Sequence, residues 1–266
     1  MAILVLHPIF TENGFVLSKK LNIPLVNEIN DEKVLLVYGA HNAAPMLLEK
    51  QRLDPNIKYV ILNSESYKSP SMSNKYYLSL MRNNTVFDYT KLNSFYLGSL
   101  GIRSLSQHWM DFPNYTDQTV VEKDIDILFV GTKSLRRENL YTTLIKQYPK
   151  KKIIFDFTTD NHNHTKYNEL ICRAKFVINI PYYEHNILET HRINKALSLG
   201  AVVVTHYSGD KEMDRIYKPY VYQTHDFLKF FDKKNHTKKL KPYEELAHHQ
   251  NHNVLAQMLW CLSMLS

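Results

Sequence analysis

The sequence predicts an α/β protein made of two successive units, each with its own parallel β-sheet. Short runs of apolar residues alternate with helical stretches in both halves of the chain. The alternation stops over residues 103–123, which contain Pro113 and no sustained period, and then starts again. Strands that alternate with helices form βαβ units, so each half is expected to make a parallel sheet. The strand–helix pairs are too few for a TIM barrel.

In the N-terminal half, continuous apolar runs are typical of parallel strands that are covered on both faces. Strands are predicted at residues 2–6, 34–40, 59–63 and 85–89, and helices at 74–82 and 91–100. A glycine that follows the last helical turn is a common helix end, and Gly101 stands in that position. This half is assigned to a first domain, residues 1–118.

The C-terminal half repeats the pattern and is assigned to a second domain, residues 119–266, with a hinge near residue 120. Strands are predicted at residues 126–131, 152–157, 176–180, 201–205 and 221–223, and helices at 134–147, 165–174, 187–199 and 225–231. The tail at 243–265 is expected to form one or two amphipathic helices within this second domain.

Composition excludes several classes of protein. A hydrophobic content of 44% with 22% charged residues is typical of a folded globular chain. No apolar run reaches the about 20 residues of a membrane helix, and residues 2–9 are too short for a signal peptide, so no stable membrane insertion is expected. Cys172 and Cys261 lie far apart in apolar surroundings, which predicts no disulfide framework and a reducing, cytoplasmic location.

The net charge of +7 favours anionic partners such as nucleotides, phosphates, nucleic acid or a membrane surface. The basic residues are mostly scattered, so charge alone does not choose among these partners.

A glycine turn after the first strand of the second half is a candidate phosphate site. The strand runs into Gly131 and Thr132, and a helix with Arg136 and Arg137 in its first turns follows. Backbone amides at a helix N-terminus attract phosphate, and arginine adds charge-assisted hydrogen bonds. The pattern is not a complete G-x-G-x-x-G, so an ordinary strand-to-helix turn with surface arginines stays the alternative.

A second candidate site follows the strand that ends at Asn179. Its loop contains Tyr183, and the next helix carries Glu189, Arg192 and Lys195. Ligands of open α/β sheets bind beyond the carboxyl ends of the strands, where this loop is expected. The glutamate can accept hydrogen bonds from a ribose while arginine or lysine pairs with phosphate. The alternative is a solvated Glu–Arg surface pair.

The run from Leu188 to Val204 (LETHRINKALSLGAVVV) resembles the donor-site helix and following strand of GT-B glycosyltransferases, above all the "group 1-like" proteins with the pattern LE-x-x-RI-x-x-AL-x-x-G-x-VV. Asn63-Ser-Glu65 and Asp88-Tyr-Thr-x-x-Asn93 are similar to the N-x-E and DYS-x-x-N stretches of the same proteins. The resemblance implies an α/β fold of two Rossmann-like domains facing a cleft (GT-B). It also implies a donor nucleotide on the C-terminal domain and no catalytic metal.

Two positions depart from that pattern. Many retaining GT-B enzymes carry two spaced glutamates before the final glycine, and Ile187 and Lys195 occupy those places here. Glu189 is then the substitute for the glutamate that binds the ribose. The acidic residue that often follows the valine strand is replaced by His206.

Three residues at predicted strand ends are candidates for the base that accepts the proton of an acceptor hydroxyl. They are His7, Glu65 and Asp88, and their alternative roles are a capping histidine, an acceptor-binding carboxylate and a helix N-cap. The histidines at 162, 164, 248, 249 and 252 lack cysteine partners and zinc-type spacing, so no metal site is predicted.

The leading hypothesis is a glycosyltransferase that moves a sugar from a nucleotide-diphosphate sugar to a hydroxyl of a glycan or another acceptor. It needs no cofactor beyond this co-substrate. A non-catalytic nucleotide-binding module of the same fold is an alternative, motivated by Lys195 and His206. A DNA-modifying glycosyltransferase is another, motivated by the positive charge. Binding of nucleic acid alone is less favoured because the sequence has no recognisable reader motif.

Overall fold

The computed structural model describes residues 1–106, 111–113, 121–157, 164–183, 187–233, 236 and 238–265. The chain divides into two compact units, Met1–Pro113 with Ala247–Ser266, and Asn114–Leu246. The C-terminal tail differs from the expectation, because its residues from Ala247 onward belong to the first unit.

The first unit contains a six-stranded parallel sheet. Its strands are β1 (Ala2–Val5), β2 (Leu25–Val26), β3 (Val34–Tyr38), β4 (Lys58–Asn63), β5 (Thr85–Asp88) and β6 (Leu105–Ser106). They are ordered β2-β1-β3-β4-β5-β6. The four predicted strands are all present, whereas β2 and β6, with two residues each, were not predicted.

Helices cover the sheet of the first unit. They are α1 (Thr11–Leu21), α2 (Ala44–Leu53), α3 (Lys75–Arg82) and α4 (Lys91–Ser99), with 3-10 helices at Pro8–Phe10, Ala40–Asn42 and Pro70–Ser73. Buried side chains of the central strands, among them Val37 and Ile61, form one core with Leu47 of α2 and Leu80 of α3. A long C-terminal helix, called α10 below, spans Tyr243–Leu265, and its last turns bury Met258 and Leu262.

The second unit contains a five-stranded parallel sheet. Its strands are β7 (Ile125–Val130), β8 (Ile153–Asp156), β9 (Ala174–Asn179), β10 (Val202–His206) and β11 (Tyr222–Thr224), and its helices are α5 (Leu135–Gln147), α6 (His164–Arg173), α7 (Thr190–Ser198), α8 (Lys211–Tyr217) and α9 (Phe227–Asp232). The strand order is β11-β10-β9-β7-β8. Helix α7 begins three residues later than predicted because Glu189 is its N-cap.

Both sheets are doubly wound in the same way, which confirms a Rossmann-like α/β fold. In each sheet the chain adds a strand on one side of the first strand and then crosses to its other side. The two switch points lie between β1 and β3 and between β7 and β9. Ligands of such sheets bind beyond the carboxyl ends of the strands at a switch point. Among the described helices, none has the length and apolar character needed to cross a membrane.

Candidate functional site

The switch point of the second sheet is formed by the residues that follow β7 and β9. Gly131 directly follows β7, and its N–H donates to the carbonyl of Asp156 over 3.0 Å. Its φ of +154° lies in a region that side chains disfavour. A Cβ atom at this position would be 2.7 Å from Nη2 of Arg192. Only glycine therefore lets this guanidinium lie against the backbone of the turn.

Arg137 joins the loops that follow β7 and β9. It lies in the first turn of α5, and only 1% of the residue is exposed. Its Nε and Nη2 donate to the carbonyl of Ile180 over 3.1 and 2.6 Å, and its Nη1 donates to that of Thr132 over 2.7 Å. Burial lowers the pKa of Arg137 to about 10, so the group stays charged at neutral pH. The guanidinium is an internal clamp.

Glu189 is the carboxylate between the two arginines. Its Oε1 accepts hydrogen bonds from Nη2 of Arg137 over 3.2 Å and from the N–H of Tyr182 over 2.9 Å. Its Oε2 pairs with Nη1 of Arg192. Most of the hydrogen-bond acceptor sites of this carboxylate are thus used inside the unit. Glu189 therefore acts as an internal counter-ion of the two arginines. Direct ribose binding by Glu189 stays a prediction.

Arg192 is a cation with unused donors. Its Nη1 also donates to Oδ1 of Asn179 over 3.1 Å, and Asn179 in turn donates to the hydroxyl of Thr205 over 3.0 Å. In the part of the chain that the structure describes, Nε and Nη2 of Arg192 have no hydrogen-bond partner, and 22% of the side chain is exposed. Burial lowers the pKa of Arg192, and the charge of Arg137 lowers it further.

Arg136 is held by a histidine that the sequence marked only as a departure from the family pattern. Its Nη2 donates to Nδ1 of His206 over 2.8 Å. The imidazole stacks on Phe227 with ring centroids 4.2 Å apart. Burial, with a smaller contribution from Arg136, lowers the pKa of His206 to about 4. His206 is therefore neutral at neutral pH and can accept the hydrogen bond.

The structure brings most, but not all, of the predicted donor-site residues together. Three guanidinium groups and one carboxylate leave two net positive charges at this edge, as counted from Arg136, Arg137, Arg192 and Glu189. Thr132 is exposed in the same turn, and the ring of Tyr183 contacts that of Tyr182. Lys195 is buried elsewhere, near Cys172, where burial raises the pKa of the thiol and the charges of Lys123 and Lys195 oppose that rise.

The N-x-E and D-Y-T-x-x-N segments of the first unit are cross-linked by hydrogen bonds. Nδ2 of Asn63 donates to Oδ2 of Asp88 over 2.6 Å, and Nδ2 of Asn93 donates to the carbonyl of Glu65 over 2.7 Å. Asp88 is fully buried, and its Oδ1 accepts from the N–H of Thr90 over 3.0 Å. Burial raises the pKa of Asp88 to about 7. These polar residues hold together the loops that follow β4 and β5.

The three candidate bases all lie at the carboxyl edge of the first sheet. Glu65 exposes 23% of its side chain, and its Oε1 lies 3.4 Å from Nε2 of His41, a residue that the sequence did not single out. His7 caps the 3-10 helix Pro8–Phe10, since its Nδ1 accepts from the N–H of Ile9 over 3.3 Å. Asp88 is linked to the Glu65 loop through Asn63.

Within the described ranges, no three histidine, cysteine, aspartate or glutamate side chains form a group that could hold a metal ion. Of the histidines considered in the sequence, His162 and the side chain of His252 lie outside the described parts.

Comparison with known proteins gives no further identification: no family model matches the chain, and no curated protein matches it significantly. The likeness to GT-B glycosyltransferases stays a prediction from short motifs.

Proposed function

We propose that this chain is a GT-B glycosyltransferase that moves a sugar from a nucleotide-diphosphate sugar to a hydroxyl of a glycan or another acceptor. One observation carries the proposal: at the switch point of the second sheet, Arg192 lies against Gly131 with Nε and Nη2 unused. A glycine turn beside guanidinium donors suits a diphosphate, because oxygen atoms can approach the backbone and the cation together.

The proposal gives the residues around this point two roles: some bind the diphosphate, and others hold the loops that carry the binding residues. Arg192 and Arg136 bind the diphosphate, and Gly131 gives it room. Arg137 and Glu189 fix the loops that position them. As the bond to the sugar breaks, negative charge develops on the leaving diphosphate, and preorganised cations stabilise it without a metal ion. Thr132 and Tyr183 are the further candidates for contact with the donor.

The acceptor side of the proposal uses the carboxyl edge of the first sheet. His7, Glu65 and Asp88 lie there, and proton removal from an acceptor hydroxyl requires one such group within hydrogen-bond reach. A cytoplasmic setting belongs to the same proposal and is supported by the free thiols of Cys172 and Cys261.

A thermal-shift titration with UDP, GDP, dTDP, CMP and the matching nucleotide sugars tests the donor site. One nucleotide is expected to raise the unfolding temperature of the wild type, since a ligand that binds only the folded state stabilises it. Arg192→Met should abolish this shift. In this variant Glu189 still pairs with Arg137, so the variant is expected to fold. Arg215→Met, which removes an exposed arginine of α8, is the matched control and should keep the shift.

Stabilisation by none of the nucleotides, or an equal shift in Arg192→Met, would count against the donor site. The second candidate is a nucleotide-binding module without catalysis. It is favoured by the complete burial of Asp88 and by the capping role of His7, whose Nδ1 is already used by the N–H of Ile9. Nucleotide binding with no release of nucleoside diphosphate from any bound nucleotide sugar would support this second function.

A further inference from the structure

His41 and Glu65 form a pair at the carboxyl edge of the first sheet. His41 belongs to the 3-10 helix that follows β3, one of the two strands that define the switch point. Glu65 follows β4, the next strand in the sheet. The carboxyl ends of neighbouring parallel strands lie along one edge, so the two side chains meet there, with Nε2 and Oε1 separated by 3.4 Å.

The imidazole lies between Glu65 and the ring of Tyr77. Tyr77 packs edge-on against His41 with ring centroids 6.0 Å apart, and its hydroxyl donates to Oδ1 of Asn63 over 2.8 Å. The backbone of Glu65 is held by the side-chain amides of Asn63 and Asn93. The hydrogen-bonded backbone of Glu65 keeps the carboxylate next to the imidazole, and such positioning lets a side chain present one atom to a ligand.

The second ring nitrogen of His41 is unused. Within the described residues Nδ1 has no hydrogen-bond partner, and 14% of the side chain is exposed. When Nε2 carries its proton toward Glu65, the lone pair is on Nδ1. His7 differs, because its own Nδ1 accepts the N–H of Ile9.

The charge state of His41 suits a base. Burial lowers the pKa of His41, while the carboxylate of Glu65 acts in the opposite direction. The imidazole is therefore neutral at neutral pH. Its titratable neighbours are Glu65 and Tyr77, and burial keeps the pKa of Tyr77 well above its ordinary value, so this phenol stays neutral.

We propose that His41, oriented by Glu65, is the catalytic base that activates the acceptor hydroxyl; the inference rests on the proposed glycosyltransferase function. In the step, the acceptor oxygen forms a bond to the anomeric carbon of the sugar. The bond from that carbon to the diphosphate oxygen breaks, and its electron pair leaves with the nucleoside diphosphate. The hydroxyl proton moves to Nδ1 of His41.

The test measures release of nucleoside diphosphate from the nucleotide sugar that stabilises the wild type, first with water and then with added acceptors. His41→Gln is expected to lower kcat by about 100-fold or more, with KM for the nucleotide sugar unchanged. His249→Gln, which changes an exposed histidine of α10, should match the wild type.

Glu65→Gln supplies a readout that a structural role would not change. Glutamine keeps the size of the glutamate side chain but has no charge, so the pKa of His41 should fall. The acid limb of the kcat/KM profile is then expected to move to lower pH, because the carboxylate no longer raises that pKa. A folded His41→Gln with the kcat of the wild type, or an unshifted acid limb in Glu65→Gln, would overturn the assignment.

If His41→Gln does not fold, the position of the acid limb in the kcat/KM profile of Glu65→Gln alone decides whether His41 is the base. A wild type that releases no diphosphate from any nucleotide sugar overturns the proposed function and this inference together. Turnover by the wild type with no effect in either variant overturns only the role of His41.

Discussion

Replacement of Arg137 by methionine tests whether the second unit depends on its buried guanidinium. The substitution keeps an unbranched apolar stem and removes the donors to Ile180 and Thr132. Glu189 does not become unpaired, because Arg192 and the N–H of Tyr182 remain.

The expected cost follows from the acceptors left behind. A buried acceptor without a partner costs about 1–3 kcal/mol, and the carbonyl of Ile180, a buried residue, is in that position. Thr132 is exposed, so water can replace the lost donor there. Loss of the guanidinium over the ring of Phe129, 4.8 Å away, adds about 0.5–2 kcal/mol. We expect Arg137→Met to lower the free energy of unfolding by about 3 kcal/mol.

Urea unfolding with two probes gives the measurement. Far-UV circular dichroism follows both units. The sequence has no tryptophan between residues 114 and 246, so tryptophan fluorescence reports on the first unit. Arg137→Met should shift the dichroism transition to lower urea, while Arg136→Met, which removes a half-exposed arginine, should change it by about 1 kcal/mol or less. If Arg137→Met is as stable as the wild type or more so, desolvation of the cation outweighs its hydrogen bonds, and the clamp interpretation is refuted.

Three further predictions concern the site, the buried carboxyl and the tail. Gly131→Ala should abolish stabilisation by nucleotide in a thermal-shift assay, because the new Cβ would be 2.7 Å from Nη2 of Arg192, whereas Gly200→Ala, also at positive φ but in open space, should retain it. The pKa of Asp88, about 7 in the folded chain, lies above its ordinary value, so the stability that its neutral form contributes is lost as pH rises from about 4 through 7. Asp88→Asn should flatten this part of the pH–stability curve, measured by urea unfolding; an unchanged slope would contradict the assignment. Removal of residues 247–266 should lower the urea midpoint of the far-UV circular dichroism signal, because these residues belong to the first unit, and an unchanged midpoint would show that the tail is dispensable.

The strands could be predicted from sequence because each central strand is a nearly continuous apolar run. Helix α1 could not, since Asn13 and Gly14 within it have low helix propensity. A Cβ on Gly14 would lie 2.6 Å from Val5, so the glycine allows close packing of α1 on the sheet. Tertiary contact, which local sequence does not record, outweighs propensity there.

The candidate sites, like the fold, could be predicted from sequence only in part. The spacing of Glu189 and Arg192 predicted neighbours, and the structure pairs them. The inward direction of Arg137 was missed although a signal existed: Leu140 and Leu144 lie on the same face of α5, and Leu144 is buried.

His41 could have been found by the strand-end argument that selected His7. Its distance from Glu65 could not have been found, because that distance depends on which strands are neighbours. Strand order is a property of the whole sheet, and no single segment of sequence contains it.

The return of α10 to the first unit has a consequence for synthesis of the protein. The second unit is encoded entirely within the first, so all of its residues leave the ribosome before the last segment of the first unit does. Synthesis of the first unit therefore begins before that of the second unit and ends after it. A chain that stops before residue 247 would contain all residues of the second unit joined to an unfinished first one.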